Sequence, residues 1–282
     1  MDLLVKTETP DRGAGKGGLQ WVQTRLSDPK GLVFMPPLIG GGPAQQLGAF
    51  RWLLKNDLDL FSFNYTGHGG SPGRFSLGAS VRDTRRMLSL AANRAETAGL
   101  PLYGIAARYA TIPMLVGALT SGEPFKKIVL INPLTALYPG AFLRSVCHSC
   151  KTGFDFKKPA LSLKQAIDDY LEFLFPDITR SLAGFGALSR KRTRMLKVLV
   201  EWLSSGTRLN FSLRQTPALC VYGRQDPILN LGSGALRRAS MDCIGSVCSP
   251  VTFQAINSDH FLSDPESRAT TRQAIRSFLR TG

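Results

Sequence analysis

Over the first 133 residues, short unbroken apolar runs alternate with stretches in which apolar residues recur every three or four positions. The runs lie at 31–35, 58–64, 100–104 and 127–132. They are short and bounded by Gly, Pro or Asn, so they predict strands buried on both faces. The stretches between them predict amphipathic helices. Leu47, Phe50, Leu53 and Leu54 share one face, and Ile112, Leu115, Ala118 and Leu119 share another. Ser80 and Asp83 are expected to cap a helix that runs to about Glu96. Strands and helices in this alternation predict an α/β fold, a mostly parallel sheet with helices on both faces.

Residues 1–28 predict an extended hairpin, with strands at 3–5 and 19–26 around a Gly-rich loop. Within that loop, Gly15-Lys16-Gly17 has no Ser or Thr after the Lys and no helix behind it, so it is not a phosphate loop. The alternation breaks at Pro133. From 134 to 213 the pattern gives two amphipathic helices, one carrying Leu163, Ile167, Tyr170 and Leu174, the other Met195, Val198, Leu199 and Trp202. These predict a helical cap inserted over the sheet. Strand patterns return at 217–222 and 250–256, and Asp264-Pro265 opens a last helix. The expected organisation is a core of residues 1–133 and 214–282 with a cap at 134–213.

The chain has 282 residues, enough for one large α/β domain with an insertion. No run is long enough to span a membrane, and the first residues lack the charge, apolar core and cleavage site of a signal peptide. A cytoplasmic location is expected. A net charge of +15 favours anionic partners. Basic residues gather at Lys126-Lys127, Lys157-Lys158 and 190–194, a surface that would suit an acidic acyl carrier protein or the phosphates of coenzyme A. No nucleic-acid module is visible. Cys147-His148-Ser149-Cys150 has the spacing of half a zinc site, but no second close pair completes it. No metal and no cofactor are expected.

Three features follow the ends of predicted strands, where ligands bind in open parallel sheets. The first is the turn Gly104-Ile105-Ala106-Ala107-Arg108, the second Asp226 and the third His260. A nucleophile, a carboxylate and an imidazole in this order form the triad of acyl transfer: the imidazole takes the nucleophile's proton and the carboxylate orients the imidazole. Asp226 suits the orienting role better than Asp259, whose side chain should point away from its neighbour His260. Two backbone amides should form the oxyanion hole, those of Ala107 and Leu38; Pro36 and Pro37 have none to give.

Together with the turn Gly67-His68-Gly69-Gly70-Ser71, these features resemble the α/β-hydrolase superfamily over nearly the whole chain. More narrowly, residues 105–108 resemble the Leu-Ser-Ala-Arg elbow of the bacterial luminescence acyltransferases, which are thioesterases. The resemblance implies a fatty acyl thioester substrate, an acyl-enzyme, and Ala106 at the place of the nucleophile. Ala106 has no oxygen. Either a catalytic Ser has been replaced there, or the chain is a natural pseudoenzyme that binds an acyl ligand or a partner. Retention of Asp226 and His260 favours the first. A carboxylesterase acting on small esters is the third reading.

Overall fold

The computed structural model describes residues 2–8 (backbone only), 18–38, 41–122, 124–135, 213, 216–226, 229, 231–259, 262 and 264–280. The expected cap lies outside these residues except for Leu134, Thr135 and Leu213. His260, Cys147, His148, Cys150 and the basic run at 190–194 also lie outside them.

Eight strands form one sheet: β1 (Asp2–Glu8), β2 (Leu19–Arg25), β3 (Gly31–Met35), β4 (Leu58–Phe63), β5 (Leu102–Ala107), β6 (Lys127–Ile131), β7 (Ala218–Gly223) and β8 (Val251–Ile256). Their order is β1-β2-β4-β3-β5-β6-β7-β8. β1 and β2 are the expected antiparallel hairpin, and β2 also runs antiparallel to β4. From β4 to β8 every pairing is parallel. The helices described are α1 (Pro43–Phe50), α2 (Leu77–Thr97), α3 (Thr111–Thr120), α4 (Leu231–Val247) and α5 (Pro265–Arg280).

The apolar runs are unbroken because the central strands are covered twice. On one face Phe34, Phe61, Ala106, Leu130 and Cys220 pack with residues of α2, α3 and α4. On the other, Val33, Leu60, Ile105, Val129 and Val221 pack with Leu53 and with Ile275 and Leu279 of α5. Alternate residues of one strand serve opposite faces, as the pleat requires. Phe34 is fully buried at the centre of the first cluster, with the Phe61, Phe63 and Phe125 rings 5.9, 5.8 and 6.2 Å from it.

Two expectations need correcting. α2 begins earlier than expected: Ser76 is its N-cap, accepting the Ala79 amide at 3.0 Å. Ser80 and Asp83 lie inside the helix and turn toward the site. Replacing Ser76 with Ala should cost about 1 kcal/mol in urea unfolding, the usual value of one cap bond. Lys127 is not part of a basic surface. It is 6% exposed, and its Nζ donates to the Phe278 carbonyl in the last turn of α5, where a cation favours the helix dipole.

Candidate functional site

The strand β5 carries the turn on which the site depends. Gly104 is glycine for want of room: a Cβ there would come within 3.1 Å of the Met114 sulfur and 3.2 Å of the Phe125 ring. The next residues remain extended. Ala106 pairs with Leu130 of β6 and is 1% exposed, its methyl packed in the core. Ala107 ends the strand, paired with Ile131, and packs on the opposite face. The chain turns at Arg108, whose φ of 54° lies in the left-handed region. A short 3₁₀ segment at 108–110 then leads into α3.

The turn therefore falls two residues later than the sequence pattern suggested. Ala106 is a core residue of β5 and not the residue on the turn, and Ala107 precedes the turn where an oxyanion donor would follow it. The physical reason is strand length: pairing with β6 continues through Ala107. Small residues flank the new centre as the tight approach of strand and helix requires, Ala106 before and Ala110 after, both buried. The small-x-x-x-small pattern is thus Ala106-Ala107-Arg108-Tyr109-Ala110. From Gly104 to Ala110 the only hydroxyl is the phenol of Tyr109. It is buried and hydrogen-bonded to Ser80 Oγ at 2.5 Å, which pins the turn to α2.

Beyond β3, Leu38 is half-buried and its carbonyl accepts the Gly41 amide at 3.0 Å, which closes the loop that follows the two prolines. After β4 comes the Gly-rich turn. Ser71 Oγ donates to the Asn64 carbonyl and accepts the Gln20 amide. Asp83 of α2 accepts from the Thr66 amide at 2.7 Å and from the Thr66 hydroxyl at 3.1 Å. Burial raises the Asp83 pKa, and the Thr66 bonds only partly offset it. The His68 ring lies edge-on to Phe75 at 4.8 Å.

Burial also lowers the His68 pKa below its ordinary value. A depressed pKa means the unfolded chain takes up the proton first. Stability from the neutral ring is present above the unfolded pKa of about 6.5 and is lost as pH falls through the folded value. Thermal unfolding between pH 7.5 and 5.5 should show a falling midpoint, with a shallower slope in His68→Gln. Equal slopes would remove His68 from the account.

On the far side, Asp226 follows β7 and is fully buried. Its Oδ1 accepts the Leu229 amide at 3.0 Å, and its own amide donates to the Gly223 carbonyl. Asp259 is only partly buried. Asn132, which the sequence reading passed over, organises this side. It follows β6, has φ 45° and is fully buried. Its Oδ1 accepts the Gly223 amide at 2.7 Å, its amide donates to Val221 O at 2.8 Å, and its Nδ2 donates to the Asp259 carbonyl at 3.4 Å. The ends of β6 and β7 and the segment after β8 are thereby held together. That segment runs directly into His260. The Arg108 carbonyl accepts the Leu134 amide at 3.2 Å, linking the turn to the stretch after Asn132. Among the described residues no cluster of three His, Cys, Asp or Glu could hold a metal. No helix among them is long and apolar enough to cross a membrane.

No protein-family model matches the chain. No curated protein matches it either. Solved structures do match over its whole length. A soluble variant of monoglyceride lipase from Saccharomyces cerevisiae, in complex with a substrate analogue, is 12% identical with a TM-score of 0.58, covering 98% of this chain and 97% of that one. A lipase in an open form is 15% identical with a TM-score of 0.62, covering 98% of each. A thermostable carboxyl esterase from Bacillus coagulans is 15% identical with a TM-score of 0.59, covering 99% and 98%. At these identities the likeness shows the fold, which is that of the α/β-hydrolases.

Proposed function

We propose that this α/β-hydrolase-fold chain binds an acyl ligand at the carboxyl edge of its sheet without cleaving it through an elbow nucleophile. One observation carries the reading: the strained strand-to-helix turn, where hydrolases of this fold present Ser, presents Arg108. A guanidinium holds its proton at any relevant pH and cannot attack a carbonyl. Moving the register back by two residues does not restore a nucleophile, since Ala106 has none. The acyl class is supported by the lipases and esterases among the similar structures.

The narrower reading is a thioesterase-type site for acyl chains on coenzyme A or an acyl carrier protein. Its support is the resemblance of residues 105–108 and the basic balance of the chain. Arg82, Arg85 and Arg86 also line a groove along α2 that such an anionic carrier would suit. The carboxylesterase reading shares the same acyl site. Both require a nucleophile and stand or fall with the same variants.

The test is hydrolysis of p-nitrophenyl octanoate by the full chain and by Ala106→Ser and Arg108→Ser. Wild type should give no turnover above buffer. Ala106→Ser should stay inactive, its hydroxyl buried in the core. Arg108→Ser puts a hydroxyl on the turn and should raise hydrolysis on the order of 100-fold above the buffer rate. Turnover by wild type would overturn the proposal. A gain confined to Ala106→Ser would return the nucleophile's place to residue 106.

A further inference from the structure

We infer that the outer face of α5, together with the 3₁₀ segment Arg51–Asn56, docks on an anionic phospholipid bilayer. The inference goes beyond acyl binding, and its test does not depend on that reading.

α5 carries Arg268, Arg272, Arg276 and Arg280, one every four residues. Residues four apart are neighbours on a helix, so the four form a row about 18 Å long. All four are exposed. The opposite side of the helix is committed to the sheet, with Ser267, Thr271, Ile275 and Leu279 buried. A second element widens the row. The segment Arg51–Asn56 lies along the second half of α5: Arg276 Cζ is 5.9 Å from the centre of the Trp52 ring, and Arg280 Nη2 donates to Asn56 Oδ1 at 3.1 Å. Side chains three apart eclipse in a 3₁₀ helix, which puts the exposed Lys55 on the same side as Trp52. From 267 to 280 and from 51 to 56 the sequence has no acid. Asp264, before the row, is engaged in capping: its Oδ1 accepts the Ser267 amide at 3.0 Å. Glu266 and Asp57 stand at the margins of the face.

The shape of this face selects among polyanions. Two elements side by side are about 20 Å across, whereas the major groove of duplex DNA is about 12 Å wide and takes one helix. Single strands bind where rings are open for stacking. Here Trp52 and Phe278 are half-buried and carry cations: Arg276 sits over the first, and Lys127 Nζ is 5.3 Å from the centre of the second. A stable protein interface centres on exposed apolar or aromatic anchors. The large apolar side chains exposed among the described residues are Leu119 and Phe253. Phe253 pairs with Cys220, which packs with α3 on the other face of the sheet, and Leu119 lies on α3 itself. An acidic leaflet needs charge alone, each Arg or Lys at its surface raising partition roughly fivefold.

Cosedimentation of the full chain with vesicles tests this, comparing phosphatidylcholine alone with a mixture holding roughly a third phosphatidylserine. The chain should bind the mixed vesicles only, and raising salt from about 0.1 M to about 0.5 M should release it. Arg272→Gln with Arg276→Gln should lower partition roughly 10- to 30-fold, and Arg272→Lys with Arg276→Lys should keep it, since only charge is read. Arg82→Gln with Arg85→Gln removes the same charge from α2, on the other face of the sheet, and should leave binding near the wild-type value. Urea midpoints show whether each variant is folded. If the double Gln variant of α5 is not, the single Arg272→Gln decides, with a loss of roughly fivefold. Equal binding to neutral vesicles overturns the inference. So do equal losses from the α2 and α5 pairs, which would assign adsorption to the net charge of +15 alone. Absence of vesicle binding also overturns it, and retention of a DNA duplex that the α5 pair abolishes would then give the face to nucleic acid.

Discussion

Gly223→Ala is expected to lower stability by about 3 kcal/mol or more, the upper range for forcing atoms into a packed interior. A Cβ at 223 would lie within 3.0 Å of three backbone atoms: the Ser258 carbonyl oxygen and carbon and the Asp259 carbonyl oxygen. No flexible side-chain tip is available to give way, so the main chain itself must move. The Gln225 amide also donates to the Ser258 carbonyl at 2.9 Å, and Arg224 donates to Ile256, which fixes the same segment against the end of β7. Urea unfolding should show a midpoint well below wild type at an unchanged slope. The displaced segment leads into His260, so in an Arg108→Ser background the change should also abolish any gained esterase activity. A wild-type midpoint would mean that the close approach is absent in solution.

Asn132→Ala is expected to cost about 2–4 kcal/mol, the sum of an orphaned buried amide and a strained backbone. Ala leaves the Gly223 amide without its acceptor and removes the donor to Asp259. It also adopts φ 45° less readily than Asn does. The two contributions can be separated. Asn132→Gly loses the same hydrogen bonds but takes the left-handed conformation freely. The difference between the Ala and Gly variants then reports the backbone part, and Gly should be the more stable of the two. If both match wild type, the clamp contributes nothing.

The sheet was legible because doubly covered parallel strands leave long apolar runs, and the runs at 31–35 and 127–132 match β3 and β6 closely. The helix α4 was not. Gly232, Gly234 and Gly245 interrupt its stripe, and the helix is held through core residues such as Ile244 and Val247. The cap of α2 was misplaced because Ser76, Ser80 and Asp83 all satisfy the local pattern; geometry selects Ser76, the one that reaches a first-turn amide. The turn was off by two for a similar reason. Gly104 and Ala106 each begin a small-residue pattern, and only pairing with β6 fixes where β5 stops. The carboxylate at 226 was readable from its place after a strand. The role of Asn132 was not, because its partners are remote in sequence.

That remoteness bears on how the molecule is built in time. Residue 132 closes contacts across 91 and 127 positions of chain, on either side of the segment that separates β6 from β7. Contacts over such spans incur their entropic cost early and are rewarded only when both ends have docked. The N-terminal hairpin and the β3–β5 region can condense from nearer neighbours. The binding edge is therefore among the last parts to mature, and ligand affinity should emerge on refolding after most of the secondary structure has already returned.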